Sequence, residues 1–189
     1  ASTWYHLAVT ISSSQIKIYQ NNNLINTTSI STAIGYSGTG GFPTIGSYRY
    51  AAASYGNYFN GKIDQVRIYN TTLSSSNVAL LYAETSTTSS TLDNVEYAYN
   101  GTASNVNFNV AGKFGNAGEF NGSSSYIDLG NNLGLANNSF SFSCWIKNIG
   151  TGSNSWVFAA EGSGSTNQKL HIGRDNSNGK FYIDFWGNG

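Results

Sequence analysis

The stretch IGSYRYAAASYGNYFNG gathers Tyr48, Arg49, Tyr50 and Tyr55, with Tyr58 and Phe59 just beyond. Tyrosine rings give rigid, amphipathic contact area at little entropic cost. Beside a guanidinium and amides, such rings can stack on a sugar face while the polar groups bond its hydroxyls. The same rings could equally plug the edge of a sandwich or a contact between copies. Asp64 is the second candidate. In KIDQVRIY, strict alternation puts it on one face with Val66 and Ile68. A carboxylate among aliphatic side chains is costly to bury unless paired, and a backbone amide or Arg67 would serve.

Other chemistry finds little support. Glu84, Glu96, Glu119 and Glu161 are isolated and the five Asp are scattered. No strand therefore offers the paired acids that glycoside hydrolysis uses. GSGST at 162–166 does not satisfy the G-x-S-x-G nucleophile pattern. His6 alternates with Trp4 and Ala8 and reads as a structural histidine, whereas His171 lies opposite Leu170 and Ile172 and reads as exposed. No His or Cys spacing suits zinc. Cys144, the one cysteine, shares a face with Phe140, Phe142 and Ile146 and reads as a small buried hydrophobe. Trp145 and Trp186 fall opposite the apolar residues of their strands, which suits a second packed face or a binding surface. The expectation is a protein that is not an enzyme.

These residues must be held by strands. Period-two alternation predicts strands near 4–11, 14–20, 42–48, 62–69, 117–121, 125–129, 139–147, 155–160, 168–173 and 180–186. Asn21–Asn23 and the Asn-Gly pairs at 60–61, 100–101, 121–122 and 178–179 read as turns. LSSSNVALLY breaks the period. There Ser74 or Ser75 can cap a short helix with Val78, Leu81 and Tyr82 on one side. The expected class is all-β with one short helix.

Composition narrows the setting. Charged residues are 10% of the chain, nine basic against nine acidic, and hydrophobic residues are 39%. That balance gives no pull toward nucleic acid or an anionic membrane, and no apolar run reaches the roughly 20 residues of a membrane span. Low charge with many hydroxyls, amides and tyrosines fits an extracellular, virion-surface or cell-surface protein, and suits repetitive assembly. No signal peptide is visible, and the numbering does not exclude secretion. The Ser/Thr run within 84–99 reads as a linker, which divides the chain into 1–84, 85–99 and 100–189.

Several blocks resemble a known family. GKIDQVRIYNTTLSSSNVALLY resembles the closing motif of laminin-G-like domains in the concanavalin A-like jelly-roll superfamily. WYHLAVT and QIKIYQNNNLI resemble that family's mid-domain strand and next hairpin. NGTASNVNFNVAGKFGNAGEFNGSSSYIDLGN and FSFSCWIK resemble its opening. The two halves stand in swapped order: 1–84 resembles the C-terminal half and 100–189 the N-terminal half. A cut from a tandem array, a permuted domain, or a filament subunit completed by its neighbour would each give this order.

The resemblance implies a two-sheet antiparallel jelly-roll sandwich with Phe59 in the core. It also implies a structural Ca2+ held by Asp64 and turn oxygens around Asn121–Gly122, with an amide or Arg67 as the alternative partner of Asp64. The superfamily's glucanases carry clustered acids that this chain lacks. The functional expectation is a non-catalytic adhesion or carbohydrate-recognition module, with Tyr48, Arg49, Tyr50 and Tyr55 as ligand contacts. Its partners would be a glycan or cell-surface ligand and neighbouring copies, with no nucleic acid and no membrane insertion. The alternative is a purely structural subunit of an extracellular or viral filament.

Overall fold

The structure is a computed structural model that describes residues 3–30, 43–51, 54–85, 101–130, 133–135, 138–148, 155–161 and 169–186. Most of the expected linker, Asn100 of the Asn-Gly pair at 100–101, Glu96 and GSGST lie outside the described residues. So do the side chains of Tyr50, Glu161 and Trp186.

Among the described residues, fifteen strands and one helix form. The strands are β1 Tyr5–Ile11, β2 Gln15–Gln20, β3 Asn23–Ser29, β4 Thr44–Ile45, β5 Tyr48–Ala51, β6 Ser54–Gly56, β7 Asn60–Tyr69 and β8 Thr102–Ser104. They continue as β9 Asn107–Ala111, β10 Asn116–Asn121, β11 Tyr126–Asp128, β12 Phe140–Asn148, β13 Ser155–Glu161, β14 Lys169–Arg174 and β15 Phe181–Trp186. Helix α1 spans Ser75–Ala83.

Seven strands form the first sheet in the order β3-β2-β1-β12-β7-β10-β9. Six form the second, β15-β14-β13-β4-β11-β8, and β5 and β6 make a separate hairpin. The two antiparallel sheets pack as a sandwich, consistent with a jelly roll. Strands from 1–84 and from 100–189 interleave in both sheets. Strand β12 pairs with β1 on one side and β7 on the other, and β4 sits between β13 and β11. The two blocks complete one sandwich within one chain.

The core lies between the sheets. Leu7, Val9, Phe140, Phe142 and Ile146 face Phe158, Leu170 and Ile172, all of them fully buried. The Phe142 and Phe158 rings meet at 5.1 Å across the interface. Cys144 is wholly buried here, and burial, with Asp64 as a lesser cause, pushes its thiol up. That is a packing thiol, not a nucleophile.

The outer face of the first sheet carries a second, smaller cluster. Helix α1 closes over it, bringing Val78 and Leu81 against Ala8, Tyr19 and Tyr69. Ser74 caps the helix in a reciprocal pair with Asn77. Ser141 Oγ accepts from Leu73 N at 2.9 Å and donates to Thr71 O at 2.9 Å, tying the helix lead-in to β12. Trp145 stands on this face between His6 at 5.2 Å and Tyr82 at 5.7 Å. Of the two readings offered for Trp145, the second packed face is the one the structure shows.

Four local expectations are corrected. Asn60–Gly61 is not a turn: it opens β7, pairing with Asn121 and Phe120. Asp64 does not share a face with Val66 and Ile68. A bulge at Gln65, whose φ is +49°, shifts the alternation. Val66 and Ile68 turn to the core while Asp64 lines up with Trp145 on the outer face. His171 is 4% exposed rather than open, because the outer face of the second sheet is covered by rings. Finally, the turn after β2 is Asn21-Asn22, with φ of +50° and +64°, and Asn23 already begins β3.

His6 supplies a pH dependence. It is 1% exposed, its Nε2 lies 2.9 Å from Ser143 Oγ, and its pKa is lowered to about 4 by burial first and Arg67 second. The folded imidazole resists the proton that the unfolded chain accepts below about pH 6.5. Stability from this group is complete above about pH 6.5 and is lost as pH falls toward 4, by roughly 3 kcal/mol. Denaturant titrations at pH 7 and pH 4 should show His6→Asn losing less stability over this interval than the wild type. Equal losses would refute the assignment.

Candidate functional site

The expected ligand residues sit on the β5–β6 hairpin, which lies along the outer face of the second sheet. Arg49 on β5 and Tyr55 on β6 converge on one carboxylate. Arg49 Nη1 and Tyr55 Oη each donate to Asp128 Oδ2 at 2.9 Å. Asp128 Oδ1 accepts from Gly130 N at 2.9 Å. The Tyr55 ring stacks on Tyr126 at 3.8 Å and 15°. Burial, followed by the Asp128 hydrogen bond and charge, holds the Tyr55 phenol above its ordinary range, while Arg49 pulls it the other way. Arg49 and Tyr55 therefore pin the hairpin to β11. Tyr50 contributes its backbone to β5, and its side chain lies outside the described residues.

Tyr48 enters a different cluster. Its ring meets His171 at 5.5 Å and Trp156 at 6.4 Å, both edge-on. Trp156 lies 4.2 Å from His171 and 5.3 Å from Tyr182, the latter at 71°. Gly173 makes this approach possible. It pairs with Trp156 on β13 and with Tyr182 on β15. A Cβ there would stand 2.6 Å from Ser155 O and 3.0 Å from the Trp156 ring. Trp156 is 7% exposed, and neither its Nε1 nor the Tyr182 hydroxyl has a hydrogen-bond partner among the described residues. Burial, with Asp184 and Asp175 as lesser causes, pushes the Tyr182 phenol up. The cluster thus joins stacking surfaces to two neutral donors lacking acceptors, a combination that suits hydroxyl-rich ligands or ordered water.

Sequence reasoning singled out Tyr48, Arg49, Tyr50 and Tyr55 as candidates, read His171 as exposed, and did not single out Trp156, Tyr182, Tyr126 or Asp128. Tyr182 falls on the polar phase of its strand, opposite Phe181 and Ile183, and that signal was readable. Trp156 was hidden by the bulge between Trp156 and Phe158.

Asp64 is 6% exposed and bound on both oxygens. Oδ1 accepts from Gln65 N at 2.8 Å, and Oδ2 accepts from Lys113 N at 2.8 Å and Phe114 N at 3.0 Å. This is the backbone-amide partner offered as the alternative to calcium. It fastens the β9–β10 turn onto β7. Gly112 belongs to the same device, since a Cβ there would lie 2.5 Å from Asp64 Oδ2. Lys113 Nζ then reaches 4.4 Å from the Trp145 ring centroid.

Asp64, Asn121 and Gly122 do not form one donor set. Asn121 stands opposite Asn60, four residues along β7 from Asp64, which is roughly 13 Å at the spacing of a strand. Asn121 Oδ1 accepts from the amides of Ser123, Ser124 and Ser125, and Gly122 N donates to Phe59 O. The residues present do not fit Ca2+, which needs six to eight converging oxygens. Among the described residues no three His, Cys, Asp or Glu side chains gather.

The hairpin, the interleaved sheets and the helix that closes β7 set the frame for comparison with known proteins. A laminin-G-type model, described as the concanavalin A-like lectin/glucanases superfamily, matches residues 1–79. Over those residues the chain is similar to laminin-G-like domains. No curated protein and no solved structure matched. The match spans β1 to β7 and the start of α1, and strands β8 to β15 fill the complementary places in the same sheets. Laminin-G-like domains of lectin type are generally non-catalytic, and the family points to a carbohydrate-binding or adhesion module at most. No helix among the described residues is long and apolar enough to cross a membrane.

Replacing Asp64 by Ala should cost roughly 2–4 kcal/mol, because amides lose a charged acceptor. Urea unfolding would measure it. Millimolar calcium should leave the thermal midpoint of the wild type within about 1 °C of its value in chelator. A rise of several degrees would reveal a site built from other oxygens.

Proposed function

We propose that this chain is a non-catalytic carbohydrate-recognition and adhesion module acting at an extracellular, cell or virion surface. The observation that carries the reading is the ring cluster of Tyr48, Trp156, His171 and Tyr182, with its two unpaired donors. Arg49, Tyr55 and Asp128 support it by fixing the hairpin that presents Tyr48. The low charge of the chain and the laminin-G-like match over 1–79 favour the same class.

A glycan array probed with the labelled chain should give hits. Trp156→Phe, which keeps a ring but removes Nε1, should weaken the best hit about tenfold, the equivalent of about 1.4 kcal/mol. Gly173 should tolerate no side chain without loss of both binding and stability. An array with no hit would sink the reading.

A second reading is a structural subunit that assembles with copies of itself. Strand β3, NLINTTS, lies at one edge of the first sheet and every residue of it is exposed. It carries no charge and no proline, the usual guards of an open edge. Leu24 and Ile25 are 51% and 45% exposed. Strand β9, at the other edge, is also uncharged and almost wholly exposed, with Phe108 47% exposed. Pairing β3 of one copy with β9 of the next would extend the sheet without closing it. Sedimentation at about 100 µM should show concentration-dependent association that Ile25→Lys abolishes. A monomer at every concentration would exclude this second role.

A further inference from the structure

The outer face of the first sheet holds a feature that neither the ring cluster nor the edges explain. A cleft of about 360 Å³ opens between the first turn of α1 and strands β1 and β2. Its floor follows the pairing of the sheet. Thr10 on β1 is opposite Lys17 on β2, and Tyr19 stands two residues along on the same face, opposite Ala8. Leu24, paired with Tyr19, forms an apolar rim. Ser74 and Ser75 at the start of α1 make the facing wall.

Most polar groups around the cleft already have work. Thr72 Oγ1 donates to Ile11 O, Ser12 Oγ closes the β1–β2 turn, and Ser74 caps the helix. Thr10 and Tyr19 do not. They are only 2% and 5% exposed, both line the cleft, and neither hydroxyl has a partner among the described residues. Lys17 lines it too, with no ion pair among the described residues, and no carboxylate among them lines it. The capping pair engages the amides of Ser74 and Asn77, which leaves Ser75 N and Ser76 N as first-turn donors. Donors and positive potential therefore converge from the sheet and the helix on one space. A single ammonium suits one negative charge, the hydroxyls suit a polyol, and Leu24 with the Tyr19 ring suits a pyranose face.

We infer that this cleft binds a small hydroxyl-rich monoanion, a sugar acid carrying one carboxylate. Lys17 and the helix N-terminus take the carboxylate, and Thr10 and Tyr19 bond ring hydroxyls. The site lies on the opposite sheet from Trp156 and does not depend on the glycan reading of that cluster.

The test is a ¹H–¹⁵N NMR titration of the full chain with galacturonate, and in separate arms with galactose, acetate and trigalacturonate. Galacturonate should shift the amides of Thr10, Lys17, Tyr19 and Ser75 with Kd on the order of 1 mM. Galactose and acetate should each bind at least about tenfold more weakly. Trigalacturonate binding at least as tightly as the monomer identifies a chain end as the source, and weaker binding identifies the free acid. Lys17→Gln should weaken galacturonate about tenfold and Tyr19→Phe several-fold, both with unchanged spectra elsewhere, while Trp156→Phe should change nothing here. Equal binding of galactose, shifts confined to the Trp156 face, or no shift up to about 20 mM would each overturn the inference.

Discussion

Everything in this molecule hangs on strand β12. It lies between β1 and β7, so the ladder that joins the two blocks of the chain passes through it twice. Its inward residues, Phe140, Phe142, Cys144 and Ile146, supply the middle of the core and have no exposed surface. Its outward residues each hold another element. Ser141 ties down the lead into α1, Ser143 meets His6, and Trp145 collects His6, Tyr82, Phe114 and Lys113. A strand with both faces committed cannot slip, because a shift of one residue would exchange the phenylalanines with the serines.

From that fixed centre the sandwich acquires two differently furnished outer faces. On the first sheet, α1 covers one part and leaves a polar cleft beside its first turn. On the second, a hairpin clamped by Asp128 lays Tyr48 against Trp156 and His171. Each arrangement uses a strictly local device: the Ser74–Asn77 cap in one case, the Arg49–Asp128 ion pair in the other. A pair exposed by 15% and 19% contributes modestly to stability. Its value here is positional, since it decides where the rings of the hairpin stand.

Legibility followed burial. Strands whose inner face is continuous, such as β1 and β12, announced themselves by alternation, and the helix by its loss of period and its Ser74 cap. The laminin-G-like resemblance over 1–79 was readable because buried strands such as β1 and β7 carry it. Edge strand β3 was invisible, since a fully exposed strand has no apolar phase to show. Bulges at Gln65 and after Trp156 misled the reading of faces, because one inserted residue inverts every side chain beyond it. The candidate site was half readable. Tyrosine clustering marked the hairpin, but Asp128, Tyr126 and Tyr182 lie far away in sequence and are brought there only by strand order. The amide cradle of Asp64 was foreseeable in kind, as a partner for a buried carboxylate, though not in location.

The interleaving of the two blocks also bears on how the chain comes into being. Strand β1 can pair with β2 as soon as both emerge, but its other neighbour begins roughly 130 residues later. At ribosomal rates of about 5–20 residues per second, Leu7, Val9 and Ile11 wait on the order of ten seconds for their cover. Their closing contacts are among the most distant in sequence, which places the molecule with slow-folding topologies of high contact order. During that interval the apolar face of the nascent β1–β2 pair stands uncovered, which makes it the stretch most open to wrong pairing.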